Sequence, residues 1–205
     1  MNYKTNNLRK SRFLKVAQII HLGIIGNGSY LAGGALRTLV DNSEKVDDFD
    51  IFFEDGERED FGLSEPPAID HPLRVKEVRD ILVKEKFKLV FECKKGELYT
   101  YKKDGIKIQL ITVKFLSPQE MINSFDFGAC QAAYDGCDLF FTKAFVHNVK
   151  FKKLSTEFVE FPAATIKRMI KYSNKGYNVN GAILDFMEKI SGLTFDENGL
   201  RLYVD

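Results

Sequence analysis

The chain has 205 residues, 44% hydrophobic and 29% charged, a balance that suits one globular domain or a domain with a smaller appendage. Its net charge of +1 excludes a bulk attraction to nucleic acid, so any such surface must be a local patch. Cys93, Cys130 and Cys137 form no CxxC pair, and His21, His71 and His147 are scattered; this spacing excludes a disulfide framework and a zinc site and predicts reduced, buried thiols in a cytoplasmic protein.

The first residues, MNYKTNNLRKSR, are polar and basic, and Lys15, Gln18 and His21 interrupt the run from Phe13 to Ile25. Neither a signal peptide nor a membrane span is expected there, and no membrane partner. From about Leu8 to His21, Phe13, Val16, Ile19 and Ile20 recur at helical spacing. Gly23, Gly26 and Gly28 loosen the backbone before Ser29, Tyr30 to Ala32 is a short apolar run, and Ala35 to Val40 supplies helix formers after Gly33 and Gly34. Lys45 to Phe53 reads as a strand. Glu54 to Pro72, with Gly56, Gly62, Pro66, Pro67 and Pro72, reads as a loop or lid. Val75, Val78, Ile81 and Leu82 then form one apolar stripe on a helix from Leu73 to Phe87.

Three strands are expected at Lys88 to Cys93, Glu97 to Tyr101 and Ile106 to Val113, punctuated by Lys94-Lys95-Gly96 and Lys103-Asp104-Gly105. Ser117-Pro118-Gln119-Glu120 supplies an N-cap, a proline at the first helical position and an acidic first turn for a helix ending near Phe125. Phe127 to Ala133 and Leu139 to Phe141 predict a hairpin turning at Tyr134-Asp135-Gly136. Pro162 to Lys175 and Val179 to Ile190 predict helices. The order predicts an α+β head over 1–141 and a mainly helical region over 142–205, with no clear linker between them.

Asp48 and Asp50 lie two apart on their strand, so they face one side while Phe49 and Ile51 face the core. Two carboxylates on one face repel each other. A divalent cation resolves that, and Mg²⁺ prefers one or two carboxylates plus substrate phosphates. Gly33 and Gly34 remove two side chains where the backbone must approach a ligand, and the helix after them offers N–H groups to an anionic phosphate. Ser29 could add a hydroxyl, and Arg37 lies one turn into that helix. Taken singly, most glycine pairs are turns, and an Asp-x-Asp is often a solvated edge. In this order and separation they read as a phosphate-and-metal site.

Leu31-Ala32-Gly33-Gly34-Ala35-Leu36-Arg37 followed by Asp48-Phe49-Asp50-Ile51-Phe52 resembles the heads of the nucleotidyltransferase superfamily, which includes DNA polymerase beta, poly(A) polymerases and CCA-adding enzymes. The resemblance covers about residues 25 to 115 and implies a mixed sheet flanked by helices. It further implies that Gly33 and Gly34 hold the nucleotide's phosphates and that Asp48 and Asp50 are catalytic and bind Mg²⁺ (or Mn²⁺). Ser29, Arg37 and Lys171 are nucleotide-binding candidates from their own positions and charge. The reaction implied moves a nucleoside monophosphate from an NTP to a hydroxyl on an RNA end such as tRNA, on a protein or on a small molecule, with pyrophosphate released. The superfamily usually adds a third carboxylate from a later strand. Here the matching strand, Ile106 to Ile111, presents Gln109, an amide that is neither charged nor a base. Asp126, flanked by Phe125 and Phe127, is the candidate substitute, with a cap or turn residue as its plainer reading.

The later run Gln109-Leu110-Ile111, Ser117-Pro118-Gln119-Glu120, Phe125-Asp126, Cys130, Tyr134-Asp135-Gly136, Lys171-Tyr172 and Gly176-Tyr177 looks like a poorly characterised group of nucleotidyltransferase-like proteins of phages, viruses and eukaryotes. Lys167, Lys171 and Lys175, four apart, share a helix face that suits either a triphosphate or RNA backbone, or is simply a solvated surface. Two other readings keep the fold: a nucleotide-binding module without catalysis, and a toxin or defence component using the same chemistry.

Overall fold

A computed structural model describes residues 16–41, 46, 48–54, 71–94 and 96–191. Of the predicted first helix only its end, 16–21 (α1), falls within them, and the predicted lid over 55–70 lies outside them. Among the described residues a seven-stranded sheet runs β1 (Ser29–Ala32), β2 (Asp48–Phe53), β3 (Lys88–Glu92), β4 (Leu98–Lys103), β5 (Ile106–Ile111), β6 (Ala132–Tyr134) and β7 (Leu139–Phe141). Its spatial order is β3-β4-β5-β2-β1-β6-β7. Only β2 and β5 pair in parallel. A parallel pair needs a long crossover, and α3 (His71–Lys84), β3 and β4 all fall between β2 and β5 in the chain. The sheet is therefore mixed, as expected.

Alternation along β2 separates its two faces. Phe49 and Ile51 have no exposed surface and join Leu31, Ile108 and Leu110 in the main core, which the Val75, Val78 and Leu82 stripe of α3 covers. Burying each such side chain contributes roughly 1.5–3 kcal/mol, enough to anchor the strand while its other face carries Asp48 and Asp50. Phe52, on that other face, packs with Tyr30, Met121, Ile122 and Ala133. Met121 and Ile122 belong to α4 (Pro118–Asn123), whose Ser117 hydroxyl accepts from the Glu120 amide as the sequence predicts.

The predicted strand from Phe127 is shorter than expected. Phe127 makes only an isolated bridge with Thr156, Gly128–Cys130 forms a 3₁₀ turn, and the sheet pairing begins at Ala132. The reason is the helix above it. A Cβ on Gly128 would lie 2.8 Å from Ser155 Oγ and 2.9 Å from the Ala144 Cβ of α5 (Lys143–Phe151). The chain passes beneath α5 only because Gly128 has no side chain. Gly128→Ala should destabilise the protein by about 1–3 kcal/mol, read as a lower urea midpoint at unchanged m-value. An unchanged midpoint would show that the turn and α5 can separate freely.

A second cluster joins Phe127 and Ala129 to Met169 and Tyr172 of α6 (Pro162–Asn174), Tyr177, and Ala182 and Phe186 of α7 (Asn180–Ser191). Conversely, Phe145 and Val149 of α5 enter the main core. The two cores thus exchange residues across position 141. All three cysteines are free thiols, but the predicted burial is not met: Cys93 and Cys130 are partly exposed and Cys137 is exposed. Among the described residues no helix is long and apolar enough to cross a membrane.

Candidate active site

The site forms where β2 and β5 begin, beside α2 (Gly34–Val40) and the C-terminal end of α6. Parallel register sets Asp50 beside Gln109 and Asp48 beside Lys107, while antiparallel register sets Ala32 beside Asp50. Gln109 is therefore the residue that β5 presents to the pair. A cavity of about 360 Å³ opens over them, lined by Gly34, Arg37, Asp48, Asp50, Lys107 and Gln109 together with Lys171 of α6 and Lys175 at its C-cap. Gly33, at φ 75° and ψ −137°, holds a conformation open essentially to glycine alone, and a Cβ there would stand 3.8 Å from Asp50 Oδ2. Gly33 thus brings backbone close to Asp50, whereas a Cβ on Gly34 would meet nothing within 4 Å.

The two acids are not equivalent. Asp48 is half exposed and pairs with Lys107 at 3.1 Å, a surface ion pair worth about 0–1 kcal/mol. Burial, and then repulsion from Asp48, raise Asp50 from 3.8 to about 6, although Lys107 and Lys171 pull it down. Lys107 was not predicted as a site residue. Its position two before Gln109 puts it on the same face, which is the signal that would have found it.

Three predicted positions do not come to this cleft as free ligands. Ser29 is fully buried at the opposite end of β1, beside Phe53; its hydroxyl donates to the carbonyls of Ile24 and Gly26 and accepts from Arg74. Arg37 borders the cavity, but its guanidinium is 2% exposed. It meets Asp41 at 3.5 Å and lies over the rings of Tyr172 and Tyr177 at 5.3 and 5.7 Å. Asp41 also accepts from Lys152 and, at 3.2 Å, from Tyr177. Burial pushes the Tyr177 phenol up to about 12, so it stays a donor. Asp126 takes a 2.6 Å hydrogen bond from Arg168 Nε and does not line the cavity. Burial raises its carboxyl while Arg168 lowers it.

Among the described residues no group of three or more histidine, cysteine or acidic side chains surrounds a metal position. The donors at hand are two carboxylates and one amide, which match a hard cation that keeps water and phosphate as its other ligands.

A seven-stranded mixed sheet with an Asp-x-Asp strand beside a glycine-led helix is the nucleotidyltransferase fold. Solved structures bear this out: a CCA-adding enzyme in complex with ATP superposes with a TM-score of 0.63 at 15% identity, over 90% of this chain and 45% of that one. The Thermotoga maritima CCA-adding enzyme complexed with tRNA gives 0.52 at 16% identity, over 83% of this chain and 40% of that one. A tRNA nucleotidyltransferase complexed with a primer tRNA and an incoming ATP analog gives 0.50 at 14%, over 79% and 46%. The chain belongs to the Gabija anti-defense 2 family, whose model matches residues 5–152. It is 28% identical over 162 residues to Gabija anti-defense 2 of Bacillus phage SPbetaL7, a match spanning 75% of this chain but only 35% of that relative. The expected kinship with a nucleotidyltransferase-like group of phages is thereby met.

Proposed function

We propose that this chain binds a nucleoside triphosphate with a divalent cation in the Asp48–Asp50 cleft and transfers the nucleoside monophosphate to a hydroxyl. The observation that carries this reading is Asp50, raised to about 6 beside a second carboxylate, in a cavity that Lys171 and Lys175 also line. A cation satisfies the carboxylates and a triphosphate the lysines. Asp48 and Asp50 would hold Mg²⁺ or Mn²⁺, with the Gln109 amide oxygen alongside. When bound, the ion would supply Lewis acidity at the α-phosphate and offset charge on the leaving pyrophosphate.

Gly33 and Gly34 keep the cavity mouth free of side chains, and Lys171 would meet the triphosphate. The acceptor oxygen bonds to the α-phosphorus, and the bond from that phosphorus to the β-phosphate oxygen breaks, its electrons leaving with pyrophosphate. The acceptor proton goes to solvent, since Gln109 cannot take it. The acceptor is an RNA end such as tRNA, a protein or a small molecule. On the family's description alone, the activity belongs to counter-defence in the cytoplasm of an infected cell.

A second reading, nucleotide binding without turnover, is favoured by one specific pair of facts. Gln109 faces Asp50 where an acid is expected, and Asp126 is held by Arg168. Incubation with α-³²P-labelled NTPs and Mg²⁺ or Mn²⁺ separates the two. Transfer of label with pyrophosphate release, reduced at least ~10²-fold by Asp48→Ala, supports the enzyme. A metal-dependent NTP thermal shift without pyrophosphate supports the binding module. Labelling that survives Asp48→Ala removes the site from consideration.

A further inference from the structure

One sheet level carries a row of charge that the proposed reaction does not use. Lys88 of β3 is registered with Lys102 of β4, Lys102 with Lys107 of β5, and Lys107 with Asp48 of β2. Registered neighbours share a face, so three ammonium groups stand abreast on adjoining strands and the fourth strand ends the row on a carboxylate of the cleft. At about 4.8 Å per strand, the row covers roughly 14 Å. A cavity of about 650 Å³ follows it, and Lys86 and Lys103 add to its rim. Asp48 and Lys107 line this cavity and the nucleotide cleft alike, so the two adjoin at that ion pair.

Like charges directly opposite one another on a sheet destabilise it. Protection of an edge strand would account for Lys88 on β3; it does not account for Lys102 and Lys107, which lie on inner strands. Lys86 sharpens the point. It holds a left-handed φ of 64° at the end of α3, a place where glycine is the usual residue, and its side chain borders the groove. The same edge strand leaves Phe91 53% exposed, an aromatic surface of the kind on which unstacked bases rest.

We infer that the Lys88–Lys102–Lys107 row is the track of a single-stranded nucleic acid, whose phosphodiester backbone crosses the sheet and delivers a terminal hydroxyl to the Asp48–Asp50 cleft. Only the delivery of the hydroxyl rests on the transferase reading above; the binding of the strand does not. Lys88 and Lys102 grip the backbone, and Lys107 hands it on where the two cavities meet.

The test is fluorescence anisotropy on the whole chain with fluorescein-labelled 12-mers of oligo-dT and oligo-U, which separate DNA from RNA as the source of the strand. Wild type should bind at least one of them, with affinity falling steeply as salt rises. Lys88→Gln/Lys102→Gln should weaken binding about tenfold to a hundredfold and flatten the logarithmic salt slope by roughly 1.4, at ~0.7 for each phosphate no longer neutralised. The metal-dependent thermal shift with NTP should persist in that variant, showing that it is folded and that its nucleotide cleft is intact. Lys88→Arg/Lys102→Arg should bind like wild type.

Unchanged binding in the glutamine pair overturns the inference. Loss of the NTP shift together with strand binding assigns the row to the triphosphate and overturns it equally. Competition by polyglutamate of matched charge, as strong as by the oligonucleotide, replaces the strand with an acidic protein. Asp50→Asn should still bind the strand; if it also still transfers label, the transferase site is misplaced while the track stands.

Discussion

Asp50→Asn should yield a protein that melts at a higher temperature and no longer binds NTP with metal. In the folded chain burial and Asp48 raise the Asp50 carboxyl from 3.8 to about 6. Between those values the folded state keeps a proton that the unfolded state has released, so apo-protein stability falls as pH rises from about 4 to about 6 and stays lowered above that. The amide keeps the shape and carries no charge. At pH 8 in chelator the variant should therefore gain up to about 3 kcal/mol, or roughly 6–12 °C in Tm for a chain of this size. Subtracting its melting curve from wild type across pH isolates Asp50. A flat difference between pH 4 and 6, or a variant that melts lower, would contradict the electrostatic account. Mg²⁺ should raise the wild-type Tm and leave the variant unmoved, since the second carboxylate is gone.

Asp41→Ala should cause the largest loss of stability in the molecule, about 3–5 kcal/mol. One carboxylate, 4% exposed, serves Arg37, Lys152 and Tyr177. Arg37 is itself 2% exposed, so removing its acid leaves a guanidinium far from water and facing a second cation. Asp41→Asn should cost less, because it still accepts from Tyr177. Urea denaturation measures both. A loss under about 1 kcal/mol for the alanine variant would mean that Tyr172 and Tyr177 carry Arg37 without the acid.

Local pattern was enough for some of the site and not for the rest. Asp48 and Asp50 share a face because side chains alternate along any strand, and Gln109 could be placed by the same rule once its strand was recognised. Gly33 could be read as a close approach only together with the Asp-x-Asp that follows it, since most glycine pairs are merely turns. Arg37 marks where local pattern stops. An arginine one turn beyond such glycines suits a phosphate, yet Lys152, Tyr172 and Tyr177, which enclose it with Asp41, come from remote parts of the chain and leave no trace in its neighbourhood. Asp126 fails in the same way through Arg168. The lysine row was half visible: Lys102 and Lys107 flank the Asp104-Gly105 turn as hairpin partners must, but Lys88 joins them only through the antiparallel pairing of β3 with β4.

The helix α6 is fastened at several points along its length: Arg168 to Asp126, Tyr172 to the Cys130 sulfur at 2.6 Å, and, just past its end, Tyr177 to Asp41. Lys171 and Lys175 ride on that fastened stretch with only side-chain freedom left to lose. The entropy of positioning them was lost during folding, so a bound polyphosphate need not supply it again. Loosening any one fastening should therefore appear first as weaker affinity at a temperature where the protein is still fully folded.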